Sequence, residues 1–86
     1  SDFILLDVRR PDEFASGHIP GAVLFTNELM TKADAEKLLP NKGQRIFVYC
    51  RSGRRSKEAS QKLVVYGYSN VIEIGGILDY SGVIEK

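Results

Sequence analysis

Cys50 is the only cysteine in the chain, and the seven residues after it, Arg51, Ser52, Gly53, Arg54, Arg55, Ser56 and Lys57, hold four cations and no acid. A cysteine acts as a nucleophile through its thiolate, and neighbouring cations favour that form. Gly53 allows backbone angles closed to other residues, so the loop can curl around one atom. The bland alternatives are a cysteine buried as a small hydrophobe and a basic run that is only solvated surface. Surface is the reading taken for Lys32, Lys37 and Lys42. Beside the one thiol, the cations are read as functional. Arg9 and Arg10 form a second basic pair near the start.

Asp7 could serve as a base, but an acid that anchors Arg9 or the loop by hydrogen bonds is the reading adopted. His18 invites a Cys–His dyad; its Gly-His-Ile-Pro-Gly turn points instead to a structural role. Phe47, Tyr49, Tyr66 and Tyr68 are assigned to core or rim packing. With one cysteine, one histidine and no C-x-x-C pair, neither an intramolecular disulfide nor a zinc centre is expected. No other cofactor is called for.

The elements that must position these residues follow from local pattern. Phe3-Ile4-Leu5-Leu6 is an apolar run ending at Asp7-Val8, as in a parallel strand covered on both faces. Pro11-Asp12-Glu13-Phe14 opens a helix, with proline early and acids in the first turn, and Gly17 stops it. Pro20-Gly21 marks a turn before a short strand, Ala22-Val23-Leu24-Phe25. Thr26 or Asn27 caps a helical stretch towards Leu38-Leu39, ended by Pro40, with an interruption around Thr31 to Ala33. Arg45-Ile46-Phe47-Val48-Tyr49 is the strongest strand, and Cys50 stands at its carboxyl end. From about Ser52 to Tyr66 the pattern is helical, with Ser56, Ala59, Leu63 and Tyr66 on one face. Gly67 ends that helix. Val71-Ile72-Glu73-Ile74 is a fourth strand, Gly75-Gly76 a turn, and the rest a short helical tail.

Strands alternating with helices predict an α/β fold with a parallel sheet. Ligands bind such sheets beyond the carboxyl ends of the strands, which is where Cys50 lies. Unpaired N–H groups and the dipole at the following helix start add positive potential there. An 86-residue chain has room for one domain, residues 1–86. A net charge of +1 argues against a general nucleic-acid binder. No apolar run approaches the roughly 18 residues needed to span a bilayer.

The residues also resemble a family. Leu5-Leu6-Asp7-Val8-Arg9, Pro11-Asp12-Glu13-Phe14 and Gly17-His18-Ile19-Pro20-Gly21-Ala22 are similar to the opening signature of rhodanese domains. Val48-Tyr49-Cys50-Arg51-Ser52-Gly53-Arg54-Arg55-Ser56 resembles their active-site loop, and Gly67-Tyr68, Val71 and Gly75-Gly76-Ile77 resemble the closing signature. In compactness the chain is similar to phage-shock-protein-E-type enzymes. The resemblance implies a small parallel sheet of four to five strands flanked by helices. It implies that Cys50 takes a sulfane sulfur from thiosulfate or a similar anionic donor as a persulfide. The acceptor would be a thiol, cyanide or a sulfur-relay protein. The N–H groups from Arg51 to Arg55 would hold the persulfide, and Arg51, Arg54 and Arg55 would attract the donor. Ser52 and Gly53 complete the loop; Asp7, Arg9 and Ser56 support it. A monomer without nucleic-acid or membrane partners is expected.

The chain departs from the family pattern in two places. Members usually have a further short strand and helix before the first strand, where only Ser1 and Asp2 stand here, so a compact or an upstream-trimmed member is expected. Tyr80 stands where a tryptophan is usual. Two other function classes remain: a sulfur-carrier module loaded by a partner, and a phosphatase or arsenate reductase, because related folds use a Cys-x5-Arg loop for oxyanions. Here Arg55 follows Cys50 by five positions, and position 56 is serine.

Overall fold

Four segments extend and pair side by side in parallel: β1 (Phe3–Asp7), β2 (Val23–Leu24), β3 (Arg45–Cys50) and β4 (Val71–Gly76), in the order β2-β1-β3-β4. The computed structural model describes residues 3–86; Ser1 and Asp2, the residues ahead of the first strand, lie outside the described residues. Three α-helices connect the strands, α1 (Pro11–Ser16), α2 (Lys32–Leu38) and α3 (Arg54–Val65), with short 3-10 turns at Asn27–Leu29 and Ile77–Asp79. Parallel pairing requires such crossovers, because the chain must return to the same end of the sheet before each new strand.

The register sets which side chains meet. Leu6 pairs with Val48 and Asp7 with Tyr49 across β1 and β3. Successive side chains alternate between faces. Leu6, Val8, Ile46, Val48 and Cys50 therefore share one face, where they pack with Ala35, Leu39, Ala59, Leu63 and Tyr68 as the core. Asp7 and Tyr49 point to the opposite face, and both are buried there. Cys50 is thus delivered to the α3 side of the sheet, at the end where α3 begins.

Local chemistry explains the helix limits. The side chain of Thr31 accepts the N–H of Asp34 at 3.2 Å and starts α2 afresh, so the interruption expected in this stretch falls between the 3-10 turn and Thr31. Glu13 Oε1 accepts the N–H of Arg10 at 3.0 Å, at a helix start that also carries Pro11. Helix α3 starts at Arg54, later than the expected Ser52, because Gly53 stands before it at φ +105°, a left-handed conformation open chiefly to glycine.

Three expectations need correction. Gly75-Gly76 is not a turn after the fourth strand but the end of β4, since Gly76 pairs with Cys50 beyond a register shift. The tail is helical only over Ile77–Asp79; further on Glu85 exchanges backbone hydrogen bonds with His18 at 2.8 and 2.7 Å, so that stretch is extended. Strand β1 is not covered along its whole length: Leu6 is fully buried, whereas Phe3 is 48% exposed.

Candidate active site

At the end of β3 the backbone turns at Arg51 and Ser52 and enters α3 through Gly53. Gly53 donates its N–H to Cys50 Sγ at 2.9 Å, and Ser56 Oγ lies 3.5 Å from the same sulfur. Cys50 and Ser56 are both buried, so these contacts form away from bulk water. Burial pushes the Cys50 thiol up, but the Ser56 hydroxyl, when its proton faces the sulfur, and the N–H groups of Ser56, Gly53 and Ser52 outweigh it and bring the thiol below its ordinary value. The turn at the head of α3 therefore favours the thiolate through hydrogen bonds.

The cradle is closed from the far side by β4. A Cβ on Gly76 would run into the carbonyl oxygen of Arg51, and would come within 2.7 Å of Ser52 Cα. Only the bare glycine backbone lets β4 lie this close beneath the loop.

The arginines are not equivalent. Arg55 forks onto Glu13, Nη1 to Oε1 at 2.7 Å and Nη2 to Oε2 at 3.0 Å, with both side chains mostly buried. The Arg55 hydrogen bond draws Glu13 down to about 2, and Glu13 in turn raises Arg55. Arg54 pairs with Glu58 one turn along α3, at an exposed position. Arg51 alone of the three forms no ion pair among the described residues. Together with Arg10, Glu13, Glu28 and Ser52 they line a cleft of about 450 Å³ over the loop. Arginine charge, expected to act beside the N–H groups and the helix dipole in favouring the thiolate, is shared here with acids at Arg54 and Arg55.

Asp7 and Arg9 make a separate network on the other face of the sheet. Arg9 Nε and Nη2 donate to both Asp7 oxygens at 2.7–3.1 Å, and Tyr49 Oη donates to Asp7 Oδ2 at 2.7 Å. Arg9 also donates to Gly17 O at 2.7 Å, and Ile19 N–H reaches Tyr49 Oη at 3.1 Å. Burial raises the Tyr49 phenol, so its proton stays on the oxygen and is available to Asp7. This network fixes β1, β3 and the Gly17–Ile19 turn; Asp7 anchors Arg9 and makes no hydrogen bond to the cysteine loop. His18 stacks on Phe14 at 3.7 Å, and its Nδ1 lies 2.9 Å from Phe14 O, which is a structural placement.

Two acids escaped the sequence reading. Glu13 was visible only as a first-turn acid, and its partnership with Arg55 spans 42 positions. Glu73 Oε2 lies 2.6 Å from Ser56 Oγ. Its one visible signal is an acid set between isoleucines in a strand.

The chain matches the rhodanese-like domain family over residues 1–82. It belongs to that family. A sulfurtransferase of Allochromatium vinosum is 37% identical over 93% of this chain and 73% of its own length, and the thiosulfate sulfurtransferase PspE of Escherichia coli is 32% identical over 86% and 70%. The chain is 42% identical to part of the adenylyltransferase and sulfurtransferase UBA4 of Candida albicans, covering 18% of that longer protein. A solved structure described as a rhodanese with anions from E. coli superposes with a TM-score of 0.86 at 30% identity, over 96% of both chains. This protein is thus a rhodanese-like sulfurtransferase built on a four-stranded parallel sheet. Among the described residues no group of three or more His, Cys, Asp or Glu could hold a metal.

Proposed function

We propose that the chain transfers a sulfane sulfur from thiosulfate, or a similar small anionic donor, to a thiol, cyanide or protein acceptor through a persulfide on Cys50. In the first step the Cys50 thiolate attacks the outer sulfur of thiosulfate. The S–S bond of the donor breaks, sulfite leaves with its electron pair, and Cys50 carries a terminal persulfide anion. In the second step the acceptor nucleophile attacks that terminal sulfur, and the Cys50 thiolate is restored. Neither step needs a metal or an external oxidant.

The observation that carries this reading is the N–H of Gly53 on Cys50 Sγ at 2.9 Å, with the nearby N–H groups of Ser56 and Ser52 adding to the pull towards thiolate. Such donors stabilise anionic sulfur without a large cavity. Arg51, Ser52, Arg54 and Arg55 form the rim, with Arg51 as the guanidinium available to the donor.

Intact mass before and after thiosulfate tests the proposal. The reduced protein is expected to gain one sulfur atom and lose it to cyanide, whereas Cys50→Ser gains none. Equal uptake by the serine variant would exclude Cys50 as the carrier. A second reading, a carrier module loaded by a partner, is supported by the likeness to one part of a longer adenylyltransferase and sulfurtransferase. Under that reading the wild-type mass is unchanged by thiosulfate alone.

A further inference from the structure

Strand β4 turns an acid inward and isoleucines outward. Val71 pairs with Ile46 and Glu73 with Val48, so both share the face on which Ile46 and Val48 are fully buried. Ile72 and Ile74 point to the other side and are 37% and 48% exposed. Apolar burial alone favours the reverse arrangement. Glu73 meets no cation to justify its place: it forms no ion pair among the described residues. Its Oε2 instead accepts the N–H of Gly75 at 2.7 Å and lies 2.6 Å from Ser56 Oγ.

The Ser56 hydroxyl has one proton and four neighbours able to take it: Glu73 Oε2 at 2.6 Å, Gly53 O at 2.9 Å, Gly75 O at 3.4 Å and Cys50 Sγ at 3.5 Å. A hydroxyl donates once and accepts through its lone pairs. A carboxylate at about 2.6 Å is the strongest of these acceptors. With the proton committed to Glu73, the oxygen faces Cys50 with a lone pair. In that orientation it accepts from a thiol S–H and cannot donate to a thiolate, so the lowering that a Ser56 proton on Sγ would exert on Cys50 is withheld.

We propose that Glu73 is a positioning residue for Cys50: it holds the single proton of the Ser56 hydroxyl, turns a lone pair towards Sγ and so restrains ionisation of the thiol. The proposal rests on Cys50 being the sulfur carrier, and it says how its reactivity is set. The loop N–H groups pull towards thiolate; Glu73, acting through Ser56, limits that pull. The balance has a chemical use. Nucleophilicity falls as thiol pKa falls, and attack on sulfur is fastest when that value is near the ambient pH.

The test is the pH dependence of iodoacetamide alkylation of Cys50 in wild type, Glu73→Gln, Ser56→Ala and the double variant, with Glu36→Gln as a distant charge control. In Glu73→Gln the inflection should move down by about one pH unit, and the plateau rate should fall roughly 2–3-fold as the thiolate becomes less basic. Ser56→Ala should change the inflection by less than ~0.3 unit in wild type. In the Glu73→Gln background it should raise it by about one unit, because the neutral amide oxygen competes for the hydroxyl proton less strongly than the carboxylate and lets it turn to sulfur. An unmoved or raised inflection in Glu73→Gln would overturn the proposal, as would an equal Ser56→Ala effect in both backgrounds. If circular dichroism shows that Glu73→Gln does not fold, Glu73→Ala carries the same expectations. Alkylation needs no sulfur transfer, so the predicted shifts in a protein that never accepts sulfur would sink the proposed function and leave the role of Glu73 standing.

Discussion

At the scale of single residues, Cys50 is controlled by hydrogen bonds more than by the basic run that draws the eye in the sequence. Two consequences can be measured. The alkylation inflection of Cys50 should lie below the ~8.5 of a free thiol, and Arg54→Ala should hardly move it, since Arg54 is exposed and turned to Glu58. Raising the salt should also leave it nearly unchanged, because contacts made inside a buried cradle are screened little. A strong salt dependence would restore arginine charge as the main cause. The donor should respond differently. Arg51→Ala should raise KM for thiosulfate by roughly 2–10-fold, the range for losing one exposed charge contact, and Lys37→Ala should not. Arg55→Ala should instead appear chiefly as lost stability, of order 1–3 kcal/mol, since it leaves Glu13 mostly buried without its partner. Should Arg51→Ala keep the wild-type KM at low salt, Arg51 is solvated surface.

At the scale of elements, the Glu13–Arg55 pair fastens α1 to the first turn of α3, so the helix that presents the cradle is held by a contact remote in sequence. Glu13 is depressed from 4.5 to about 2 in the folded protein. The folded state then binds fewer protons than the unfolded one in that interval. The stabilisation is complete above about 4.5 and is lost as pH falls through about 2. The gap between wild type and Glu13→Gln in urea unfolding should accordingly be at most roughly 3 kcal/mol near neutral pH and should vanish at about pH 2. A gap independent of pH would mean the carboxylate does not titrate with the fold. Much of this framework was legible. The apolar run of β3, Pro11 at a helix start and the face of Ser56, Ala59 and Leu63 are local patterns with a single physical reading. Less legible were features decided across the sheet. Gly75-Gly76 reads as a turn in isolation, yet Gly76 pairs with Cys50 and passes under Arg51. Glu73 stands between two isoleucines in its strand, and only the pairing with Val48 reveals that it faces inward.

At the scale of the whole molecule, the question is which chemistry this sheet and cradle can host, because related folds carry oxyanion chemistry on a longer cysteine loop. The loop from Cys50 to Arg55 has four intervening residues. It is confined on both sides: Gly53 N–H holds the sulfur from the α3 end, and Gly76 at the end of β4 lies against the backbone of Arg51 and Ser52. A phosphoryl group is tetrahedral and needs N–H donors spread around a wider ring, so admitting one would require lifting the loop away from β4. The Arg55 guanidinium that such a site would want on the phosphate oxygens is already forked onto Glu13. Two acids by the loop are engaged and not free to protonate a leaving alkoxide, a step worth about 10²–10⁴-fold: Glu13 is held by Arg55, and Glu73 lies beneath the loop against Ser56. The expected result is no measurable hydrolysis of p-nitrophenyl phosphate under conditions where thiosulfate-to-cyanide transfer is readily followed. Inserting one glycine after Gly53 should loosen the contact on Sγ, reduce sulfur transfer and raise the alkylation inflection as the N–H groups move off the sulfur. Cys50-dependent phosphatase turnover in the unaltered protein, at rates comparable with its sulfur transfer, would show that the loop opens far enough to take a tetrahedral anion and would overturn the argument from its size.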